Sequence, residues 1–396
     1  KDIQFDSENK RLDIHIDFHK GSEFHYESNE DNIEGDFKAY DTQLKQWRHL
    51  NFFEHECYLN ARVPRIKIDE KRIRLIQPPW SGLSNGFTLL FEALALQLAS
   101  HMPVNTVSKI ISESNDKIWA MLERYTTKAL ANNDYGKLTA VGMDETSKRK
   151  GHDYITLFVD LLQKRTIFIA EGKDHKTVKS FAEDVKAHNG DPDKIVDVSC
   201  DMSPAFIKGV SEYLSKAKIT FDRFHIMKII NVAVDEVRRQ ESKEQDMLKG
   251  NRYIFLKNEK NLTQKQSQTR EELSLSKLNL KSIRALHIRE NFQEIYTAPT
   301  EEKFETLLKK WYFWATHSRL EPIKEAAYTI KNHWDGVLQW KKSSINNGLL
   351  EGLNSLIQAA KAKARGFRNI RYFKIIAFLV TGKLDFSQLN KHYLPT

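Results

Sequence analysis

The order of apolar runs between residues 138 and 230 constrains the fold more than any other property of this chain. LTAVGMD, YITLFVDLL and RTIFIAEG are three successive β-branched runs separated by short polar turns. DHKTVKSFAEDVKAHNG then reads as a helix, with Val178, Phe181 and Val185 as its stripe and Asn189-Gly190 as its stop. A strand in KIVDVSCD follows, then a helix in SPAFIKGVSEYLSKA with Ser203 and Pro204 as N-cap and first helical residue, then a strand in ITFDRFHI. Three antiparallel strands followed by helix, strand, helix and strand predict an α/β layer on a mixed sheet.

The flanking segments differ in kind. Residues 1 to about 75 look β-rich, because RLDIHIDF and HECYLNARVPRIKI both alternate with period two. The polar, acidic ESNEDNIEGDFKAYDT between them reads as a loop, and Gln77-Pro78-Pro79-Trp80 as a linker. From about 83 to 131 the pattern is helical: one helix over Asn85 to His101, a short one over Asn105 to Ser112, and a third starting at Ser114-Asn115-Asp116. Short helix, tight turn and longer helix outline a helix-turn-helix, with a small packing bundle as the plain alternative. Residues 226 to about 340 are charged, rich in Trp and Phe, and helical, with KNEKNLTQKQSQTREELS as a loop or junction.

Charge limits the partners. Lys and Arg total 62 against 53 Asp and Glu, a net charge of +9, which suits a polyanion. KDIQFDSENKRLDIHIDF is charged throughout, so no signal peptide is expected. No apolar run approaches the ~20 residues that span a bilayer, so no membrane partner is expected. Only Cys57 and Cys200 occur, which excludes a disulfide framework and fits a reducing cytoplasm.

Three acids occupy distinct settings. Asp144 and Asp201 each end an apolar run where a strand tip should be exposed, and Glu351 lies in a helix with a basic tail. A fold that gathered them would build a carboxylate cluster, costly unless a divalent metal neutralised it. Metal beside positive charge describes phosphoryl transfer on nucleic acid. Each acid also has a plain reading, the aspartates as turn formers and Glu351 as a helical surface residue. Glu145 and Asp197 compete with the aspartates, but Glu145 should face away from Asp144 in a strand, and Asp197 lies inside its strand.

The wording WRHLNFFEHECYLNARVPRI, GMDETSKRKGHDYITLFVDL, VSCDMSPAFIKGV, FDRFHIMKIIN and NNGLLEGLNSLIQAAKAKARGFRN resembles the bacterial insertion-sequence transposases of the ISL-three family. The resemblance spans about residues 40 to 373 and implies an α+β multidomain protein. Its parts would be a β-rich N-terminal DNA-binding domain (1–78), a helix-turn-helix domain (79–135), an RNase H-like mixed-sheet core (136–230), an all-helical insertion (231–342), and C-terminal core helices (343–396) carrying the Glu. It implies Asp144, Asp201 and Glu351 as catalytic metal ligands, with Asp144 bridging two ions. It also implies Asp222 and His225 as an Asp-x-x-His element, and Asn347 as a supporting residue four positions before Glu351, on the same helical face. His225 alternatively reads as a core histidine, and Asn347 as a cap.

Two Mg²⁺ ions about 4 Å apart suit in-line displacement at phosphorus, with Mn²⁺ as the alternative. Lys148, Arg149 and Lys150 after the first acid, and Lys361, Lys363, Arg365, Arg368 and Arg371 (with Lys374) after the last, are expected to contact DNA backbone, or else to form solvated faces. The tryptophans at 311, 314, 334 and 340 read as core, with an aromatic wedge into a flipped base as the alternative. One departure stands out. Where the family carries a cysteine-bearing zinc-ribbon-like module, this chain reads EFHYESNEDN and RIKIDEKRI, and Cys57 with His25, His49 and His55 has no ligand spacing, so no structural zinc is expected. The implied activity is that of a cytoplasmic, nucleoid-associated DNA transposase, binding terminal inverted repeats and target DNA as a homodimer on paired ends. A catalytically inactive DNA-binding regulator and a DNA nuclease without joining activity are the alternatives.

Overall fold

Alternation of half-buried and exposed residues makes strands of most of the first 75 residues, as the computed structural model shows; it describes residues 2–28, 30–147, 154–275, 279–343 and 348–387. The strands are β1 (Asp2–Asp6), β2 (Arg11–Ile16), β3 (Glu23–Ser28), β4 (Ile33–Lys38), β5 (Asp41–Phe52), β6 (His55–Lys67) and β7 (Ile73–Leu75). One sheet runs β1-β2-β6-β5 with β7 also on β6, and its inner face buries Leu12, Trp47, Cys57, Leu59 and Val63. The acidic stretch expected as a loop instead contains the end of β3, all of β4 and the start of β5. Phe24, Tyr26 and Phe37 give the β3–β4 hairpin one half-buried face. Asp31 at its turn is anchored by Tyr26 and by two Arg74 hydrogen bonds of 2.7 and 2.8 Å.

Three helices follow: α1 (Leu89–His101), α2 (Val104–Ile111) and α3 (Asn115–Ala131). Thr88 caps α1, whose first residue, Leu89, comes four residues later than the expected start at Asn85, and Ser114 caps α3 as expected. Ser112 in the left-handed region ends α2 and makes the tight turn. Glu92 is fully buried in α1 and accepts from the Leu83 and Ser84 backbone N–H groups and the Tyr125 hydroxyl. Burial pushes its carboxyl up, and these donors oppose the rise.

The second sheet comprises β8 (Ala140–Ser147), β9 (Tyr154–Asp160), β10 (Arg165–Glu171), β11 (Asp197–Cys200) and β12 (Lys218–Phe221), in the order β10-β9-β8-β11-β12. β8, β9 and β10 are antiparallel neighbours, while β11 runs parallel to both β8 and β12. α4 (His175–Ala187) and α5 (Pro204–Tyr213) are the crossover helices. The last strand stops at Phe221, shorter than expected, because Asp222 caps the next helix by accepting from the Phe224 N–H at 2.8 Å.

That helix is α6 (Arg223–Glu241), and α7 (Arg252–Leu256), α8 (Gln264–Leu275), α9 (Lys281–Ile295), α10 (Glu301–Thr316), α11 (Glu321–Asn332) and α12 (Trp334–Ser343) follow. α8 occupies the later part of the stretch read as a loop or helix junction, started by a reciprocal capping box in which Thr263 and Gln266 bond each other's backbone N–H. Trp311 is buried, but Trp314 is 42% exposed and is not core. α13 (Gly348–Lys363) and α14 (Ile370–Thr381) close the described chain. The chain divides into two units, Lys1–Asn133 with Ser355–Thr396, and Asp134–Asn354, so the division falls inside α13. Among the described residues no helix is long and apolar enough to cross a membrane.

Candidate active site

Register, rather than sequence proximity, aligns the aspartates. On β11, Asp197, Val198 and Ser199 pair with Ala140, Val141 and Gly142 of β8. Carried two residues further, the same register sets Asp201 opposite Asp144. The β11–β12 ladder pairs Cys200 with Phe221, so its next step sets Asp201 opposite Asp222. Three aspartates therefore stand abreast on three parallel strands, where neighbouring strands lie ~4.8 Å apart: Asp201 and Asp222 just past the ends of β11 and β12, but Asp144 inside β8, which continues to Ser147 and so does not end at this acid as the sequence suggested. Side chains at one register level of a parallel sheet share a face.

Each carboxylate has its own hold. Asp144 is half-buried and accepts from the Glu145 N–H at 2.9 Å and from Asn354 Nδ2 at 3.0 Å. Burial pushes its carboxyl up to about 6; those two donors and His225 pull against this, while Asp201 adds to the rise. Asp201 accepts from the Ser203 N–H at 2.9 Å, an Asx turn that leads into α5. His225, in the first turn of α6, stands with Nδ1 3.3 Å from Asp222 Oδ2. Asp222 raises its imidazole above the ordinary range against the effect of burial, and Asp201 and Asp144 raise it further.

Glu145 feels the same charges. Although it alternates with Asp144 along β8, its carboxyl is pushed up first by burial and then by Asp201 and Asp144, with Lys173 and His225 opposing. It belongs to the same electrostatic neighbourhood.

Glu351 lies on a helix that docks on the same sheet. Leu350 and Leu353 of α13 bury against Val159 of β9, and Gly142 of β8 leaves room for Leu350. A methyl group at Gly142 would come 2.6 Å from Leu350 Cδ2. One turn on, Asn354 bonds Asp144, so α13 is tied to β8 by an apolar and a polar contact. Glu351 itself is exposed and, with Asp222, lines a cavity of about 830 Å³. Among the described residues no group of three or more His, Cys, Asp or Glu side chains is arranged to hold a metal.

Asn354 escaped sequence reasoning, although its position three residues after Glu351 was a usable signal. Asn347, Lys148, Arg149 and Lys150 lie outside the described residues. Of the other basic candidates, Arg371 is paired with Glu123, Lys363 donates to the His101 carbonyl at 3.4 Å, and Lys361 donates to Gln358 at 3.3 Å. Arg365 and Arg368 are exposed.

A family model described as transposase, for the DDE transposases of the ISL-three group, matches residues 141–377. The chain belongs to that family. The matched stretch contains the three register-aligned aspartates, His225, Glu351 and Asn354. Among curated relatives, the chain is similar to the transposase for insertion sequence element IS1001 of Bordetella parapertussis. It is 24% identical over 347 residues, covering 85% of this chain and 84% of the relative. The transposase for insertion sequence element IS1557 of Mycobacterium tuberculosis (strain ATCC 25618 / H37Rv) is 25% identical over 366 residues, covering 85% and 81%.

Proposed function

We propose that this transposase binds the terminal inverted repeats of an insertion sequence and carries out metal-dependent cleavage and strand transfer of DNA. The observation that carries the reading is the parallel β8–β11 register, which extended past its last pair sets Asp201 beside Asp144. The strand order β10-β9-β8-β11-β12 supports an RNase H-like core, with α6 to α12 as its helical insertion. Asp144 and Asp201 would hold divalent cations, Mg²⁺ by the hardness of the donors, and Glu351 would complete the ligand set. Bound there, the metal supplies charge neutralisation at the scissile phosphate and a lowered pKa for the attacking hydroxyl. Asn354 and the Glu145 N–H orient the Asp144 carboxylate for this role, and Asp222 holds His225 beside it.

The β domain and the helix-turn-helix formed by α2 and α3 would bind the element ends. Arg365 and Arg368, with Lys361, Lys363, Arg371 and the segment Lys148 to Lys150, are assigned to backbone phosphates. Two element ends call for a homodimer. The test is a strand-transfer assay with DNA carrying the native element ends and Mg²⁺ or Mn²⁺. Cleavage with joining is expected, and loss of both in Asp144→Asn and Asp201→Asn. Cleavage without joining identifies a nuclease, and specific binding without cleavage a regulator. An Asp144→Asn protein as active as the parent removes the site assignment.

A further inference from the structure

Arg289 in α9 is 3% exposed, yet none of its hydrogen-bond partners carries a charge. Its Nε donates to Asn231 Oδ1 at 2.8 Å, and its Nη2 to the Leu256 carbonyl at 3.0 Å and to Asn258 Oδ1 at 2.8 Å. Nη1 is buried with no hydrogen-bond partner among the described residues. A guanidinium held only by neutral acceptors keeps its full positive charge in a place where burial is costly. A framework that needed only a strut between α6, α7 and α9 would be better served by an amide or an apolar side chain.

Arg289 lines the same 830 Å³ cavity as Asp222 and Glu351. Arg223, Lys257 and Lys341 line it too, giving four cations against those two acids. Phe224 also stands in the lining while 59% exposed, and Trp340 is there half-buried. An aromatic face left open beside an excess of cations and several side-chain amides is the chemistry of an unpaired nucleotide: stacking for the base, positive charge for the phosphate. The volume falls within the range of roughly 300–1,000 Å³ typical of small-ligand pockets, which admits a nucleotide and not a duplex.

We infer that this cavity takes one unpaired nucleotide of the DNA strand that enters the candidate active site. Its base rests on Phe224 and Trp340, and its phosphate is drawn by Arg289 and Lys341. The inference rests on the proposed reading of the protein as a DNA transposase and adds to it a place where a base leaves its stack. All of these residues belong to one unit of the chain.

The test compares three fluorescently labelled probes bound to the full chain: a paired duplex, the same duplex with one unpaired nucleotide, and a short single strand. The parent is expected to prefer the two probes with an unpaired base. Phe224→Ala, at an exposed position where folding is little affected, should weaken binding of those two probes by roughly 5- to 100-fold. Binding of paired duplex should be unchanged. Lys341→Ala should weaken the same two probes and flatten their salt dependence. Arg289→Gln should do likewise while keeping or raising the midpoint of denaturation, because a buried charge has been removed. Equal binding of all probes by parent and variants overturns the pocket and leaves the transposase reading intact. Absence of any DNA binding by the parent overturns both. A fall in stability with Arg289→Gln, with no change in binding, assigns Arg289 to the framework and removes it from the site.

Discussion

Asp144→Asn should make the metal-free protein more stable at neutral pH while removing the chemistry. Burial holds the Asp144 carboxyl at about 6, against an ordinary value of 3.8. At ~1.4 kcal/mol per tenfold, that difference disfavours the ionised form in the folded chain by roughly 3 kcal/mol. The sign follows from proton counts. Between about pH 4 and pH 6 the unfolded chain has released this proton and the folded chain has not, so stability falls as pH rises and levels off above about 6. A neutral amide at this position avoids the loss. Its oxygen can still accept from the Glu145 N–H, and its NH₂ meets Asn354, whose Oδ1 is buried without a partner among the described residues and can accept once the amide turns. The expected outcome is a gain of about 2–3 kcal/mol at about pH 8 that vanishes at about pH 4. Urea denaturation in the presence of a chelator, at both pH values, measures it. Adding Mg²⁺ should stabilise the parent and leave the variant unmoved. A variant less stable than the parent at about pH 8, or a difference independent of pH, refutes the argument that desolvation governs this carboxyl.

Further outcomes follow from other contacts. Asn354→Ala removes a donor to the ionised Asp144, so the carboxyl should titrate higher still, and carbon-detected NMR titration would show it; a downward shift contradicts the orienting role. Gly142→Ala should cost about 1–3 kcal/mol, because the new methyl meets Leu350 Cδ2 at 2.6 Å and Leu161 Cδ2 at 2.9 Å. Leu350→Ala in the same chain should relieve that clash, and strict additivity of the two changes in denaturant unfolding would refute it. Glu92→Leu leaves two backbone donors and the Tyr125 hydroxyl unsatisfied, with an expected loss of about 3 kcal/mol or more; a neutral result in thermal melting would show that water replaces the carboxylate.

The second sheet was legible because its strands are continuous β-branched runs buried on both faces, as Ile155 to Val159 show. The β3–β4 hairpin was not, since Phe24, Tyr26 and Phe37 are its only aromatic punctuation in an acidic stretch. α8 was hidden by its polarity, although Thr263 and Gln266 spelled out its start. Asp222 read as part of a strand because Phe221 and Phe224 flank it alike, and only the cap distinguishes the two sides. Within the site, Asn347 and Asn354 stand four and three residues from Glu351, and helical spacing favours neither. The docking of Leu350 and Leu353 on the sheet is what brings Asn354 to Asp144, and that depends on a strand two hundred residues away. Glu145 was assigned to the far face by alternation, a rule about direction that does not limit how far a charge is felt.

The register of β8, β11 and β12 makes the site a matter of counting. Asp144, Asp201 and Asp222 are level only because the same number of residues separates each from its ladder partners. Losing one residue from Val198 to Cys200 would leave every aspartate in the chain and still move Asp201 out of line, turning it toward the opposite face of the sheet. Adding several residues to the turn between β9 and β10 would not touch that alignment. On the proposed reading, the length of a four-residue strand is as much a part of the chemistry as the acid that follows it.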